Sequence, residues 1–148
     1  MKQRVLILCT GNSARSQMAE GLLRQMAGDN FEVVSAGVAP THVRAEAIEA
    51  MSEIGIDISA HRSKSVDEFL GQEFEYVITV CDNANEQCPT FPDKTRRLHW
   101  SFEDPAAVEG AHNVRMNSFR SVRDQIAAQL RLFISSCREA RATSPASS

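Results

Sequence analysis

No part of this sequence carries a block of basic charge, and none is apolar for long enough to span a membrane. The net charge is −3, with both signs spread along the chain, so neither a nucleic acid nor a membrane surface is an expected partner. No Cys-x2-Cys pair occurs and the four histidines are scattered, which excludes the common zinc frameworks. Aromatic residues are few, with one tryptophan and one tyrosine, so aromatic walls for gripping a phenyl ring are in short supply. Internal repeats and low-complexity stretches within the folded part are absent as well. The N-terminus enters a strand directly, without a signal-peptide pattern, and a cytoplasmic location is expected. In that compartment the four cysteines start as thiols, and a disulfide among them would be catalytic sooner than structural.

At 148 residues the chain has length and apolar content for one domain, expected over 1–141. Residues 142–148, small and Pro-containing, read as a disordered tail. Strands are predicted at Arg4–Leu8, Phe31–Ala36, Glu75–Val80 and Arg96–Trp100. Helices are predicted at Ser16–Ala27, at Arg44–Ile54 with Gly55 beyond its end, and at Asn113 to about Arg141. The apolar stripe of the last helix includes Met116, Phe119, Val122, Ile126, Leu130, Phe133 and Cys137, so Cys137 reads as core. This alternation predicts an α/β fold in three layers, with a central four-stranded parallel sheet flanked by helices. Ligands in such folds sit beyond the carboxyl ends of the strands, near a switch in strand order.

Cys9 to Ser16 reads Cys-Thr-Gly-Asn-Ser-Ala-Arg-Ser, a cysteine, five residues and then an arginine, between a strand and a helix. Backbone N–H groups of such a loop, formed by Thr10, Gly11, Asn12, Ser13, Ala14, Arg15 and Ser16, can cradle an oxyanion at the positive end of the helix. Arg15 can grip two oxygens of a tetrahedral anion with its planar fork. The same field favours the thiolate of Cys9, which makes it the candidate nucleophile. Gly11 and Asn12 tolerate the left-handed backbone that inward-pointing amides require, and Ser16 can cap the helix or donate to the Cys9 sulfur. Without that context the residues would read as a core cysteine and a surface arginine.

Cys81 and Cys88 flank a polar, small-residue segment that reads as a short, weakly held helix. Seven residues of helix separate Cα atoms by roughly 10 Å at a rise of about 1.5 Å per residue. A disulfide needs less than about 7 Å. The two are either incidental thiols or a pair that bridges only when the segment unwinds. Asp104, aimed by Pro105, is the better proton donor of the Glu103-Asp104 pair, unless the dipeptide is simply a surface turn.

These pieces together resemble the thioredoxin-coupled arsenate reductases built on the low-molecular-weight protein tyrosine phosphatase fold. The likeness is carried by residues 9–20, Ser35-Ala36-Gly37, residues 47–51, Asp57-Ile58-Ser59, Cys81, Cys88-Pro89, His99-Trp100, Asp104-Pro105 and residues 123–126. The resemblance implies attack of Cys9 on arsenate, with Asp104 protonating the departing oxygen. It implies a Cys9–Cys81 disulfide as arsenite leaves, then a Cys81–Cys88 disulfide that reduced thioredoxin removes. No cofactor is needed, and a monomer is expected. Where many relatives carry a further loop cysteine this chain has Ala14. Some relatives bind potassium through residues resembling Asn12, Glu20 and Ser35, but their remaining acidic ligand falls near Lys64, whose ammonium would replace the cation, so no metal is expected. Two other functions compete. A phosphatase would use Cys9, Arg15 and Asp104 identically, with no need for Cys81 and Cys88. A redox or oxyanion sensor would need an output domain for which the chain has no room.

Overall fold

A computed structural model describes residues 2–92 and 94–143. The strands are β1 (Gln3–Cys9), β2 (Phe31–Gly37), β3 (Tyr76–Thr79) and β4 (Arg96–His99). The helices are α1 (Arg15–Ala27), α2 (Ala45–Ser52), α3 (Asp82–Glu86) and α4 (His112–Thr143). Single 3-10 turns cover Val66–Phe69 and Pro105–Ala107. All neighbouring strands are parallel, in the order β2-β1-β3-β4. The expected α/β sheet flanked by helices is therefore present, with α1 packed on β2 and α4, and α4 also on α2.

β1 is the centre of this arrangement for a simple reason. Val5, Leu6, Ile7 and Leu8 form a continuous apolar run, and all four are fully buried. A strand covered on both faces needs such a run rather than an alternating one. Burial of four such side chains contributes on the order of 6–12 kcal/mol gross, comparable to the whole net stability of a domain. Cys9, the last residue of β1, is thus anchored to the least movable element of the molecule. α3 is the opposite case: Ala84 is its one buried residue.

The chain leaves β1 for β2 on one side, then crosses to β3 on the other. The switch point lies between β1 and β3, where Leu8 is level with Thr79. Cys9 ends one of these strands and Cys81 follows the other by two residues, so both cysteines reach the same sheet edge.

Several boundaries move from expectation. α1 begins at Arg15, because Ser16 is fully buried and faces inward instead of capping. α2 is shorter at both ends, and the residue before it, Arg44, is extended. α4 continues to Thr143, so Ala142 and Thr143 are helical; 144–148, the rest of the expected tail, lie outside the described residues. The predicted apolar stripe of α4, Cys137 included, is buried throughout.

Candidate active site

The loop from Cys9 to Arg15 is held from outside by the segment that follows β2. Val38, Ala39, Thr41 and Arg44 donate backbone N–H bonds of 2.9–3.2 Å to the carbonyls of Cys9, Thr10, Gly11 and Ser13. With those carbonyls engaged outward, the loop's N–H groups are left to face the interior. Gly37 permits this close approach: a Cβ there would lie 2.6 Å from the Thr10 carbonyl oxygen. Asn12, with φ at 47°, is the loop's left-handed residue, and it alone fulfils the expectation placed on Gly11 and Asn12 together. Gly11 serves differently, since a Cβ there would crowd Thr41 Oγ1 at 3.2 Å.

Asn12 is fully buried and all its side-chain hydrogen-bonding groups are used. Its Nδ2 donates to Ser16 Oγ at 2.7 Å and Ser35 Oγ at 3.0 Å. Its Oδ1 accepts from Gln17 Nε2 and from the Lys64 backbone N–H, both at 2.9 Å. The gift to Ser16 orients that hydroxyl, leaving its own hydrogen for the Cys9 sulfur 2.9 Å away. The Asn12 N–H donates to the same sulfur at 3.2 Å. Two donors therefore converge on Cys9 Sγ, the arrangement that a thiolate requires.

The second cysteine is met by the same logic. Asn83 Nδ2 donates to Thr10 Oγ1 at 3.0 Å, which leaves the Thr10 hydroxyl hydrogen for Cys81 Sγ at 3.3 Å. Cys81 also caps α3, accepting from the Ala84 N–H at 3.4 Å. α3 is further tied at Asp82, whose carboxylate lies 2.9 Å from His99 Nε2, while His99 Nδ1 lies 2.8 Å from Thr79 Oγ1. Cys88 stands beyond the helix, half-buried, and its Sγ donates weakly to the Pro89 carbonyl. Burial pushes the Cys88 thiol above its ordinary value, against a smaller opposing effect of Arg97. All four cysteines are free thiols.

Arg15 Nη1 donates to the Phe102 carbonyl at 3.1 Å, and Nη2 lies 4.0 Å from Asp104 Oδ2. Asp104 Oδ1 accepts from the Ala106 N–H at 3.0 Å, so one carboxylate oxygen is fixed and the other faces Arg15. The resulting pocket, about 190 Å³, is lined by Cys9, Arg15 and Asp104, by loop residues, and by Thr41 and Arg44. Among the described residues no aromatic side chain lines it; Tyr76 and Trp100 pack on Phe133 of α4 instead, with ring centroids 5.0 and 5.8 Å away.

Behind the loop, Ser35 Oγ donates to Glu20 Oε1 at 2.7 Å. Glu20 is buried and faces Arg24 at 3.0 Å, His61 at 3.4 Å and Lys64 Nζ at 3.9 Å. Burial lowers both His61 and Lys64 from their ordinary values, with Glu20 opposing in each case. Asn12, Glu20 and Ser35 fit a potassium ion poorly here. The Asn12 oxygen is already occupied by two donors, and the Lys64 ammonium stands beside the carboxylate.

The family model for low molecular weight phosphotyrosine protein phosphatases matches residues 4–143. The chain belongs to that family. Within it, an arsenate reductase of Halalkalibacterium halodurans is 44% identical over 132 residues, which are 89% of this chain and 95% of that protein. A solved arsenate reductase in its oxidized state superposes with a TM-score of 0.78 at 29% identity, over 90% of this chain and 98% of the other. A thioredoxin-dependent arsenate reductase of Corynebacterium glutamicum superposes at 0.74 and 28% identity, over 94% of this chain and 63% of that one.

The sequence names Cys9, Arg15, Cys81, Cys88 and Asp104 as candidates; the structure brings Cys9, Arg15 and Asp104 to one pocket with Cys81 beside it, and leaves Cys88 outside it beyond α3. Sequence reasoning missed Thr41 and Arg44 as pocket wall, since loop residues after a strand carry no local signature. Gln17, which braces Asn12, and His61, which faces Glu20, were missed because the contact that joins them spans 44 residues of sequence.

Proposed function

We propose that this protein reduces arsenate to arsenite through Cys9, Cys81 and Cys88, with a dithiol such as reduced thioredoxin restoring the enzyme. The observation that carries this reading is the contact between Thr10 of the oxyanion loop and Cys81 Sγ. A second thiol beside the first is of no use to hydrolysis and is what a redox step needs. The likeness to arsenate reductases supports the same reading, and the C. glutamicum neighbour supports thioredoxin as reductant.

The loop N–H groups and Arg15 bind the oxyanion, and the Cys9 thiolate attacks arsenic. An As–O bond breaks as S–As forms, and Asp104 gives the departing oxygen its proton. The Cys81 thiolate then attacks Cys9 Sγ. The S–As bonding pair stays on arsenic, which leaves as arsenite, reduced by two electrons, and a Cys9–Cys81 disulfide forms. Cys88 attacks Cys81, freeing Cys9. The outside dithiol takes the two oxidising equivalents from the Cys81–Cys88 bond. Hydrolysis of a phosphoester would need only an attack of the first kind and then water to displace Cys9 from phosphorus, with no part for Cys81 or Cys88, but a phenyl ring would find no aromatic wall among the described residues of this pocket.

On this reading the protein works as a one-domain monomer in the cytoplasm, where its thiols stay reduced. Among the described residues no helix is long and apolar enough to cross a membrane. Arsenate-dependent NADPH oxidation with thioredoxin and thioredoxin reductase is the test. Cys88→Ser should release one arsenite per chain and stop with Cys9 joined to Cys81; Cys81→Ser should form no such bond. Multiple turnover surviving either substitution would overturn the reductase reading in favour of the phosphatase.

A further inference from the structure

The pocket has a second arginine that the relay leaves unused. Arg44 lines the same cavity as Cys9, Arg15, Thr41 and Asp104. Its main chain is fixed, because its N–H donates to the Ser13 carbonyl at 2.9 Å. Its Nε is buried and, among the described residues, without a hydrogen-bond partner. Arg115 has a buried, unpartnered Nε too, but its Nη1 meets Glu46 at 3.3 Å. The Arg44 guanidinium has no such ion pair among the described residues, although carboxylates stand on the following helix.

A guanidinium that lines a cavity without a counter-charge is stabilised when a ligand anion supplies one. The charge balance of the cavity points the same way. Arg44 adds a second positive charge to the cavity that holds Cys9 and Arg15. The cavity is small, polar and without aromatic lining, which suits a tetrahedral inorganic dianion.

We infer that Arg44 is a second anion-binding arginine of this pocket, holding the bound tetrahedral oxyanion together with Arg15. Arg15 orients the anion for attack by Cys9. Arg44 holds it in the cavity, and its contribution falls on ground-state affinity. The substrate class rests on the proposed reductase reading; the anion site itself does not.

Inorganic phosphate is the probe, titrated calorimetrically into the full-length protein at low and moderate salt. One charge-assisted hydrogen bond lost in a desolvated site weakens binding about tenfold or more. Arg44→Gln should therefore raise the phosphate Kd about tenfold and flatten its salt dependence, while Arg44→Lys, which keeps the charge without the fork, should lose less. With arsenate, the Gln variant should lose by a rise in KM and not by an equal fall in kcat. Phosphate affinity unchanged in the Gln variant would overturn the inference, as would Lys and Gln variants equally impaired in kcat with unaltered KM. Arg44-dependent phosphate binding by a protein that fails to reduce arsenate would uphold this inference and sink the reductase reading.

Discussion

Asn12→Ala should cost about 5–7 kcal/mol, and the sum can be traced bond by bond. Four side-chain hydrogen bonds are lost. Three partners keep another bond: Ser16 to Cys9, Ser35 to Glu20, and Gln17 Nε2 to the Arg62 carbonyl. Each of these losses is worth about 1 kcal/mol net. The Lys64 N–H is left with no replacement acceptor in the described contacts, at about 1–3 kcal/mol. Alanine at a φ of 47° adds about 1 kcal/mol that asparagine largely escapes. Asn12→Gly removes the same hydrogen bonds but not the backbone freedom, so it should be about 1 kcal/mol milder. Urea unfolding midpoints, with the slope checked for constancy, measure both. Cys9 alkylation by iodoacetamide gives a second reading, because loss of Asn12 also frees Ser16 from its orientation toward the sulfur. A glycine variant within about 1 kcal/mol of wild type would refute the claim that this network shapes the loop. Equal losses for glycine and alanine would refute the backbone part.

Asp104→Asn should slow formation of the Cys9–arsenic adduct and spare later thiol exchange, because the amide keeps the shape but has no acidic proton; single-turnover kinetics compared with reduction of pre-oxidised enzyme separate the steps, and equal slowing of both would make Asp104 structural. Arg15→Lys should lose most activity in the coupled NADPH assay, since an ammonium cannot replace a fork already aligned by the Phe102 carbonyl. Asp82→Ala should loosen α3 by removing its tie to His99, so that hydrogen exchange across 82–88 rises in the reduced protein and Cys88 alkylates faster. Burial keeps His61 below its ordinary value of 6.5, so the unfolded chain binds a proton that the folded one resists. Stability is then level above about pH 6.5 and falls as pH drops below it; His61→Asn should flatten that fall in urea titrations, and an unchanged slope would rule His61 out as its cause.

The fold was legible where apolar periodicity and chemistry agreed. Val5–Leu8 could only be a strand buried on both faces, and the stripe from Met116 to Cys137 could only be one long helix. The nucleophilic loop was legible because cysteine, glycine, asparagine and arginine there each have a narrow physical use. What escaped was polar and non-local. Glu20 and Gln17 sit on α1 at positions that a helical wheel assigns to solvent, yet both are buried. They are tolerable inside because Ser35, Arg24 and His61 satisfy them, and those partners come from β2, from the next turn of α1 and from a loop beyond α2. Arg44 was read as the first residue of a helix. Its extended backbone sends the side chain into the pocket, and only the Ser13 carbonyl that fixes it explains why.

The two halves of the site differ in how firmly they are held, and that difference suits their proposed tasks. The loop proposed to bind the anion hangs between a fully buried strand and a buried helix, and its shape is fixed from inside by Asn12 and from outside by residues 38–44. A preformed cradle of this kind need not reorganise when charge develops on the oxyanion. The segment that bears Cys81 and Cys88 rests on one buried alanine and on polar ties through Asp82 and Asn83. Exposed polar ties of this type are worth about 1 kcal/mol each, so the segment can open at a cost far below global unfolding. Opening also removes Cys88 from the burial that pushes its thiol above its ordinary value. On the proposed relay, the motion that lets Cys88 approach Cys81 would therefore also make it easier to ionise.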